Sequence, residues 1–171
     1  KKLSKMGDFQ ELKQIQGLEV SSVSADLYKN GRDDISLFYF KESANYASIY
    51  TTSGIVSETI NWNSNSNKKS IKALLVNTKN ANTFTGKQGT ESLNEIAKNL
   101  AKTLTIKESR TENGINEIVK IKDIIFASTG VIGEKFPDEQ INKSIEFLVE
   151  KLREEQNKLI WLKTASAIMT T

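Results

Sequence analysis

The stretch Ile124-Ile125-Phe126-Ala127-Ser128-Thr129-Gly130-Val131-Ile132-Gly133, followed by Phe136-Pro137-Asp138, decides how this chain reads. Three large apolar residues form a short buried strand, and the chain then enters a turn of small residues and glycine just ahead of a helix. Pro137 fits a first helical turn, and Ile141, Ile145, Leu148 and Leu152 supply the apolar stripe behind it. A junction of this kind leaves backbone N–H groups and a hydroxyl facing outward, the arrangement that stabilises an anion. Small residues also make this bend in many α/β proteins that bind nothing there, so the turn by itself admits both readings.

A second strand-to-helix unit lies upstream. Ile71 to Val76 is a short run of apolar residues interrupted by Lys72 and expected of a buried strand, and Leu93, Ile96, Ala97, Leu100 and Leu104 follow at helical spacing, with Thr90 as N-cap and Glu91 in the first turn. Before it, Leu18–Leu27, Ile35–Phe40 and Ala47–Thr52 read as strands rich in β-branched and aromatic residues, and Asn30-Gly31 marks an antiparallel turn between the first two. The Asn- and Ser-rich run Asn61–Asn67 reads as a surface loop, Ser109–Asn116 as a surface crossing, and Leu159–Met169 as a mostly buried helix. Antiparallel strands followed by alternating strand and helix predict an α/β or α+β sandwich.

With 171 residues, 37% of them hydrophobic and 26% charged, the chain is an ordinary folded domain, and one domain over 1–171 is expected. Cysteine is absent, which excludes disulfides and thiolate chemistry, and no secretory signal or membrane-length apolar run occurs; the expected location is cytoplasmic, with no membrane partner. Histidine is absent too, so a serine–histidine triad and the commonest metal ligand are excluded within this chain. A net charge of +3 from 24 basic and 21 acidic residues spread along the sequence gives no nucleic-acid footprint. Lys87, Lys135 and Lys163 receive no role, because solvated lysines are common in such a chain.

Three further segments add weight to the functional reading of the turn. Val76-Asn77-Thr78-Lys79-Asn80-Ala81-Asn82-Thr83-Phe84-Thr85-Gly86 resembles the Val-Asn-Ser-Gly-Asn-Ala-Asn-x-x-Thr-Gly run of the ornithine acetyltransferases, the bifunctional glutamate N-acetyltransferases of arginine biosynthesis. Ala167-Ile168-Met169-Thr170-Thr171 is similar to that family's Ala-Ile-Met-Thr-Thr segment, Ser128-Thr129-Gly130-Val131-Ile132-Gly133 to its Ser-Thr-Gly-Val-Ile-Gly run, and Ile49-Tyr50-Thr51-Thr52 is a weaker fourth match. The matches stand in the family's order from Ala47 to Thr171. Thr78-Lys79 replaces the family's usual Ser-Gly, so any close backbone approach that needs this glycine is in question.

The resemblance implies a layered αββα sandwich of the N-terminal-nucleophile-hydrolase type, shared with a β chain cut from the same precursor. It implies transfer of the acetyl group of N-acetylornithine to glutamate through an acetyl-threonine intermediate, in a dimer of αβ units. Thr129 and Gly130 would form the oxyanion hole. Thr170, with Thr171 its close competitor, would contact the amino-acid substrate, and Asn80 and Asn82 would line a polar pocket or tie down their own loop. The nucleophile would be the first residue of the β chain, its α-amino group acting as base, which removes the objection raised by the missing histidine. The cleavage sequence, the nucleophile and a substrate-binding lysine expected after Thr171 are not in this sequence, so it is expected to be most of an α subunit, inactive alone. No metal or organic cofactor is expected, and acetyl-CoA stays open as a second acetyl donor. The alternatives are an amidohydrolase or aminopeptidase of the same structural group, and a non-catalytic homologue acting as a binding protein.

Overall fold

The computed structural model describes residues 12–65, 69–110 and 118–169. Strands β1 (Leu18–Val23), β2 (Ile35–Asn45), β3 (Ser70–Asn77) and β4 (Ile124–Ser128) form one sheet in that order, with helix α1 (Glu58–Ser64) between β2 and β3 and helix α2 (Gly86–Ser109) between β3 and β4. Helices α3 (Asp138–Glu150) and α4 (Lys158–Ala167) follow. The first three strands run antiparallel to their neighbours, whereas β3 and β4 are parallel, pairing Ala73 with Ile124 through Asn77 with Ser128. A parallel pair needs a crossover, and α2 is that crossover.

Register sorts the residues between faces. Val23, Ile35, Leu37, Tyr39, Ala73, Leu75, Ile124 and Phe126 join one hydrophobic core with Leu93, Ile96, Leu100 and Leu104 of α2 and Ile141, Ile145 and Leu148 of α3. Each valine, leucine, isoleucine or phenylalanine among them, removed from water, contributes about 1.5–3 kcal/mol before conformational entropy is set against it. The opposite face carries Phe38, Phe40, Leu74 and Val76, all partly exposed. Helix α4 covers its β1 end, where Ser22 Oγ lies 2.9 Å from Ser36 Oγ and 3.3 Å from Thr164 Oγ1. The described residues thus supply one sheet and its helices, a mixed α/β layer of the expected sandwich.

Both sheet edges are closed, which blunts edge-to-edge association. Arg153 exchanges two backbone hydrogen bonds with Val20 at the β1 edge. At the β4 edge, Asn63 imitates a strand: its Oδ1 accepts from Phe126 N at 3.1 Å and its Nδ2 donates to Phe126 O at 2.7 Å. Trp62 adds an indole N–H to Ile124 O at 3.0 Å and stands edge-on to the Phe126 ring, 5.4 Å between centroids. An Asn63→Leu chain leaves a buried donor and acceptor unmatched and is expected to lose about 2–4 kcal/mol of unfolding free energy in urea titration; an unchanged midpoint would contradict this role.

Several expectations from the sequence are corrected. Of the polar run Asn61–Asn67, Asn61 to Ser64 belong to helix α1 and not to a surface loop, Asn63 among them is buried, and Ser66 and Asn67 lie outside the described residues. Ala47–Thr52 forms no strand, and Ile49 is fully exposed. Helix α2 begins at Gly86, so Thr90 is no cap; its hydroxyl donates to Glu58 Oε2 at 2.8 Å instead. β1 stops at Val23, short of Leu27, while β2 runs on to Asn45. Helix α4 is mostly exposed, with Thr164 and Ala167 its buried residues. Most of Ser109–Asn116 lies outside the described residues, as do Thr170 and Thr171.

Candidate active site

Parallel strands β3 and β4 end side by side, so the loops that follow them emerge from the same end of the sheet. Asn77, the last residue of β3 and almost fully buried, joins the two. Its Oδ1 accepts from Ser128 Oγ at 2.6 Å, its Nδ2 donates to Thr78 O and Asn80 O, and its carbonyl accepts from Thr129 N at 3.1 Å. Beyond the strands the loops continue as a ladder: Val131 N donates to Lys79 O (2.8 Å), Ala81 N to Val131 O (2.9 Å) and Gly133 N to Thr83 O (2.9 Å).

This close approach rests on Gly130. At φ +136°, an added Cβ would lie 2.6 Å from Asn80 N and closer still to the Lys79 carbonyl group. The facing loop is strained as well, with Lys79 (φ 70°), Asn82 (φ 50°) and Phe84 (φ 57°) in the left-handed region. Such backbone costs of order 1–3 kcal/mol per residue and persists only where surroundings over-determine it. The surroundings here do so through side-chain amides. Asn80 Nδ2 donates to Glu134 O and Lys135 O while its Oδ1 accepts from Asn82 N, and Asn82 holds Gly89 O and the Thr85 hydroxyl.

Of the two duties expected for Asn80 and Asn82, lining a polar pocket or tying down their own loop, the hydrogen bonds favour the second. Both are buried and their amides are engaged within the protein, so they shape the turn and present no free amide to a substrate. Thr129 and Gly130 are placed in the opposite way. Both are exposed, and neither the Thr129 hydroxyl nor the Gly130 N–H has a hydrogen-bond partner among the described residues. Two donors on one rigid turn, facing solvent, are what an oxyanion requires. Phe84, Val131 and Ile132 of the same two loops are exposed apolar side chains. Thr170 and Thr171 lie outside the described residues, but Met169, just before them, is tied by its carbonyl to Arg32 Nη2. Among the described residues no group of His, Cys, Asp or Glu is placed to hold a metal ion.

The sequence reading missed Asp34, which supports the site from below. Fully buried, it accepts from Ala25 N and Leu27 N at 2.7 Å each, and its carbonyl receives both the N–H and the hydroxyl of Thr78. No local spacing connects it to these partners. Burial raises its pKa above the ordinary carboxyl value, an effect only partly offset by the backbone N–H donors. A raised folded-state value means the folded chain holds the proton more tightly than the unfolded one. The stabilisation from this group is complete below the ordinary value of 3.8 and is lost as pH rises through the raised value. The stability of the parent chain relative to Asp34→Asn is accordingly expected to fall over that window in urea titrations at stepped pH; a pH-independent difference would contradict it.

Two strand–turn–helix units on a partly parallel sheet, with a turn bearing two solvent-facing donors, make up the mixed α/β arrangement of the described residues. Comparison with known proteins then gives its kinship. The family model described as ArgJ family matches residues 19–171, and the chain belongs to that family. It is 33% identical over 158 residues to the arginine biosynthesis bifunctional protein ArgJ of Synechocystis sp., covering 91% of this chain and 34% of that protein. The protein of the same name from Caulobacter vibrioides is 28% identical over 167 residues, covering 95% of this chain and 37% of its own. The chain thus spans about a third of the length of these curated relatives. The fold is similar to that of ornithine acetyltransferase from Mycobacterium tuberculosis, solved in complex with ornithine, with TM-score 0.79 and 21% identity over 95% of this chain and 82% of that one. ArgJ from Bacillus halodurans is a second structural neighbour, with TM-score 0.75 and 22% identity, covering 95% of this chain and 80% of that one. These likenesses bear out the layered mixed α/β fold that the family resemblance implied.

Proposed function

We propose that this chain supplies the oxyanion-stabilising half of an enzyme that moves the acetyl group of N-acetylornithine to glutamate. The observation that carries the reading is the pair of unengaged donors, Thr129 Oγ and Gly130 N, on a turn fixed by Asn77 and the Lys79–Val131 ladder. Names borne by the relatives, arginine biosynthesis bifunctional protein and ornithine acetyltransferase, support the choice of reaction.

In the proposed cycle a threonine at the start of a second chain gives its hydroxyl proton to its own α-amino group, and its Oγ attacks the acetamide carbon. The carbonyl π electrons move to oxygen, where Thr129 and Gly130 donate to the resulting oxyanion. Collapse breaks the C–N bond; the ammonium returns its proton to the departing nitrogen, and ornithine leaves. The neutral α-amine of glutamate then attacks the acetyl-threonine ester, giving a second oxyanion; the C–Oγ bond breaks as a proton from the attacking nitrogen passes through the threonine α-amine to Oγ, leaving N-acetylglutamate and the free threonine. Thr170, or Thr171 beside it, would hold the amino-acid backbone. The partly exposed sheet face of Phe38, Phe40, Leu74 and Val76, together with Phe84, Val131 and Ile132 around the turn, supports a partner chain packed there, as in a dimer of αβ units.

Purification of the assembly from its source, N-terminal sequencing of every polypeptide and assay with N-acetylornithine test this reading. A second chain beginning with threonine, and ornithine release that depends on glutamate, are expected. A partner without an N-terminal threonine, or acetate release that ignores glutamate, would overturn the transferase assignment in favour of a binding protein or a hydrolase.

A further inference from the structure

The Tyr28 ring meets two cations. The Arg32 guanidinium carbon is 4.5 Å from the ring centroid and Lys79 Nζ is 5.5 Å from it. Like charges gathered on one ring repel, and the π face compensates only in part. Neither cation has a carboxylate partner among the described residues. Arg32 Nη2 donates to the carbonyls of Ser166 and Met169, and its Nε donates to Asp33 O at 3.4 Å. The acids nearby are otherwise engaged: Asp33 pairs with Lys163 at 3.2 Å, and Asp34 is buried under the Ala25 and Leu27 N–H groups.

Position links this pair to the site. Lys79 belongs to the loop whose carbonyl group abuts Gly130 and receives the Val131 N–H, while Arg32 grips the chain immediately before Thr170. Lys79 also holds a left-handed φ of 70°, where glycine would sit without strain. The two cations therefore bridge the oxyanion turn and the C-terminal segment.

We propose that Arg32 and Lys79, held on Tyr28, bind a carboxylate of the acetyl acceptor and favour a dicarboxylate over a substrate with one carboxylate. This deepens the proposed function and rests on it. With Nε and Nη2 engaged by backbone carbonyls, Nη1 is the guanidinium nitrogen left to donate to a carboxylate, and the ammonium adds a mobile second donor.

Two variants test it in the complete assembly. Lys79→Gly removes the ammonium and suits the left-handed backbone, so its thermal midpoint stays at or above that of the parent; Arg32→Gln keeps an N–H donor for the Met169 carbonyl. Loss of a charged hydrogen-bond partner is expected to raise KM for glutamate about tenfold or more in each variant, with a smaller change in kcat and in KM for N-acetylornithine. Equal effects on both substrates, or an unchanged KM for glutamate, would overturn the proposal. A parallel titration with glutarate, followed by NMR shifts of the labelled chain in the assembly, needs no turnover. If the parent assembly binds glutarate and Lys79→Gly does not, the carboxylate site stands even should acetyl transfer be absent; parent and variant binding it equally, or the parent not binding it, would overturn it.

Discussion

Thr129→Ala is expected to fold as the parent does and to lose about 100- to 1000-fold in acetyl-transfer turnover, or roughly 2.7–4 kcal/mol of transition-state stabilisation. The two halves of that expectation have separate causes. Thr129 is exposed and its hydroxyl bonds to nothing among the described residues, so removing it leaves no buried group unmatched and the thermal midpoint holds. In the proposed reaction the same hydroxyl meets charge that develops only in the transition state, so kcat falls while KM changes little. Thr129→Ser, which keeps the donor, should recover most of the loss. Steady-state assays of the assembly check both variants, and a Thr129→Ala enzyme within a few-fold of the parent would remove this residue from the mechanism.

Gly130→Ala acts through the fold. The new methyl group would overlap the carbonyl of Lys79 and crowd Asn80 N, neither of which can move without breaking the Val131–Lys79 and Ala81–Val131 hydrogen bonds. Overpacking and an unfavourable φ of +136° each cost of order 1–3 kcal/mol, so about 3 kcal/mol or more of stability is expected to go. Loss of activity would accompany it, since the Gly130 N–H is one of the two proposed donors. Urea titration of the variant reads the first effect directly; a midpoint equal to the parent's would mean the loops do not meet as described.

The sequence made the core of this arrangement legible wherever a periodic apolar signal coincided with its final environment. Ala73, Leu75, Ile124 and Phe126 stand in short apolar runs because they share one core with α2 and α3, and Leu93 to Leu104 repeat at the helical period because one face of α2 meets that core. Helix α1 was hidden, since its helical form owes less to apolar spacing than to the docking of Trp62 and Asn63 on the edge of β4. Ala47–Thr52 erred the other way: its residues favour strands, yet no neighbouring strand pairs with them.

Within the site, the motif reading located the right loops but not the duties of their side chains. Asn80 and Asn82 are amides that a substrate could use, and only the folded loops reveal that they are engaged by the backbone of Glu134, Lys135, Asn82 and Gly89. Asp34 and Arg32 act across long sequence separations, on Thr78 and on Met169, and no local pattern announces such contacts.

The most direct measurement is intact-mass analysis of the purified assembly mixed with N-acetylornithine alone, followed by a glutamate chase. The account predicts one acetyl group on the threonine-led chain, lost rapidly on adding glutamate and only slowly in water, with Thr129→Ala forming it about 100-fold or more slowly. No acetylated chain, discharge by water as fast as by glutamate, or an undiminished rate in Thr129→Ala would contradict it.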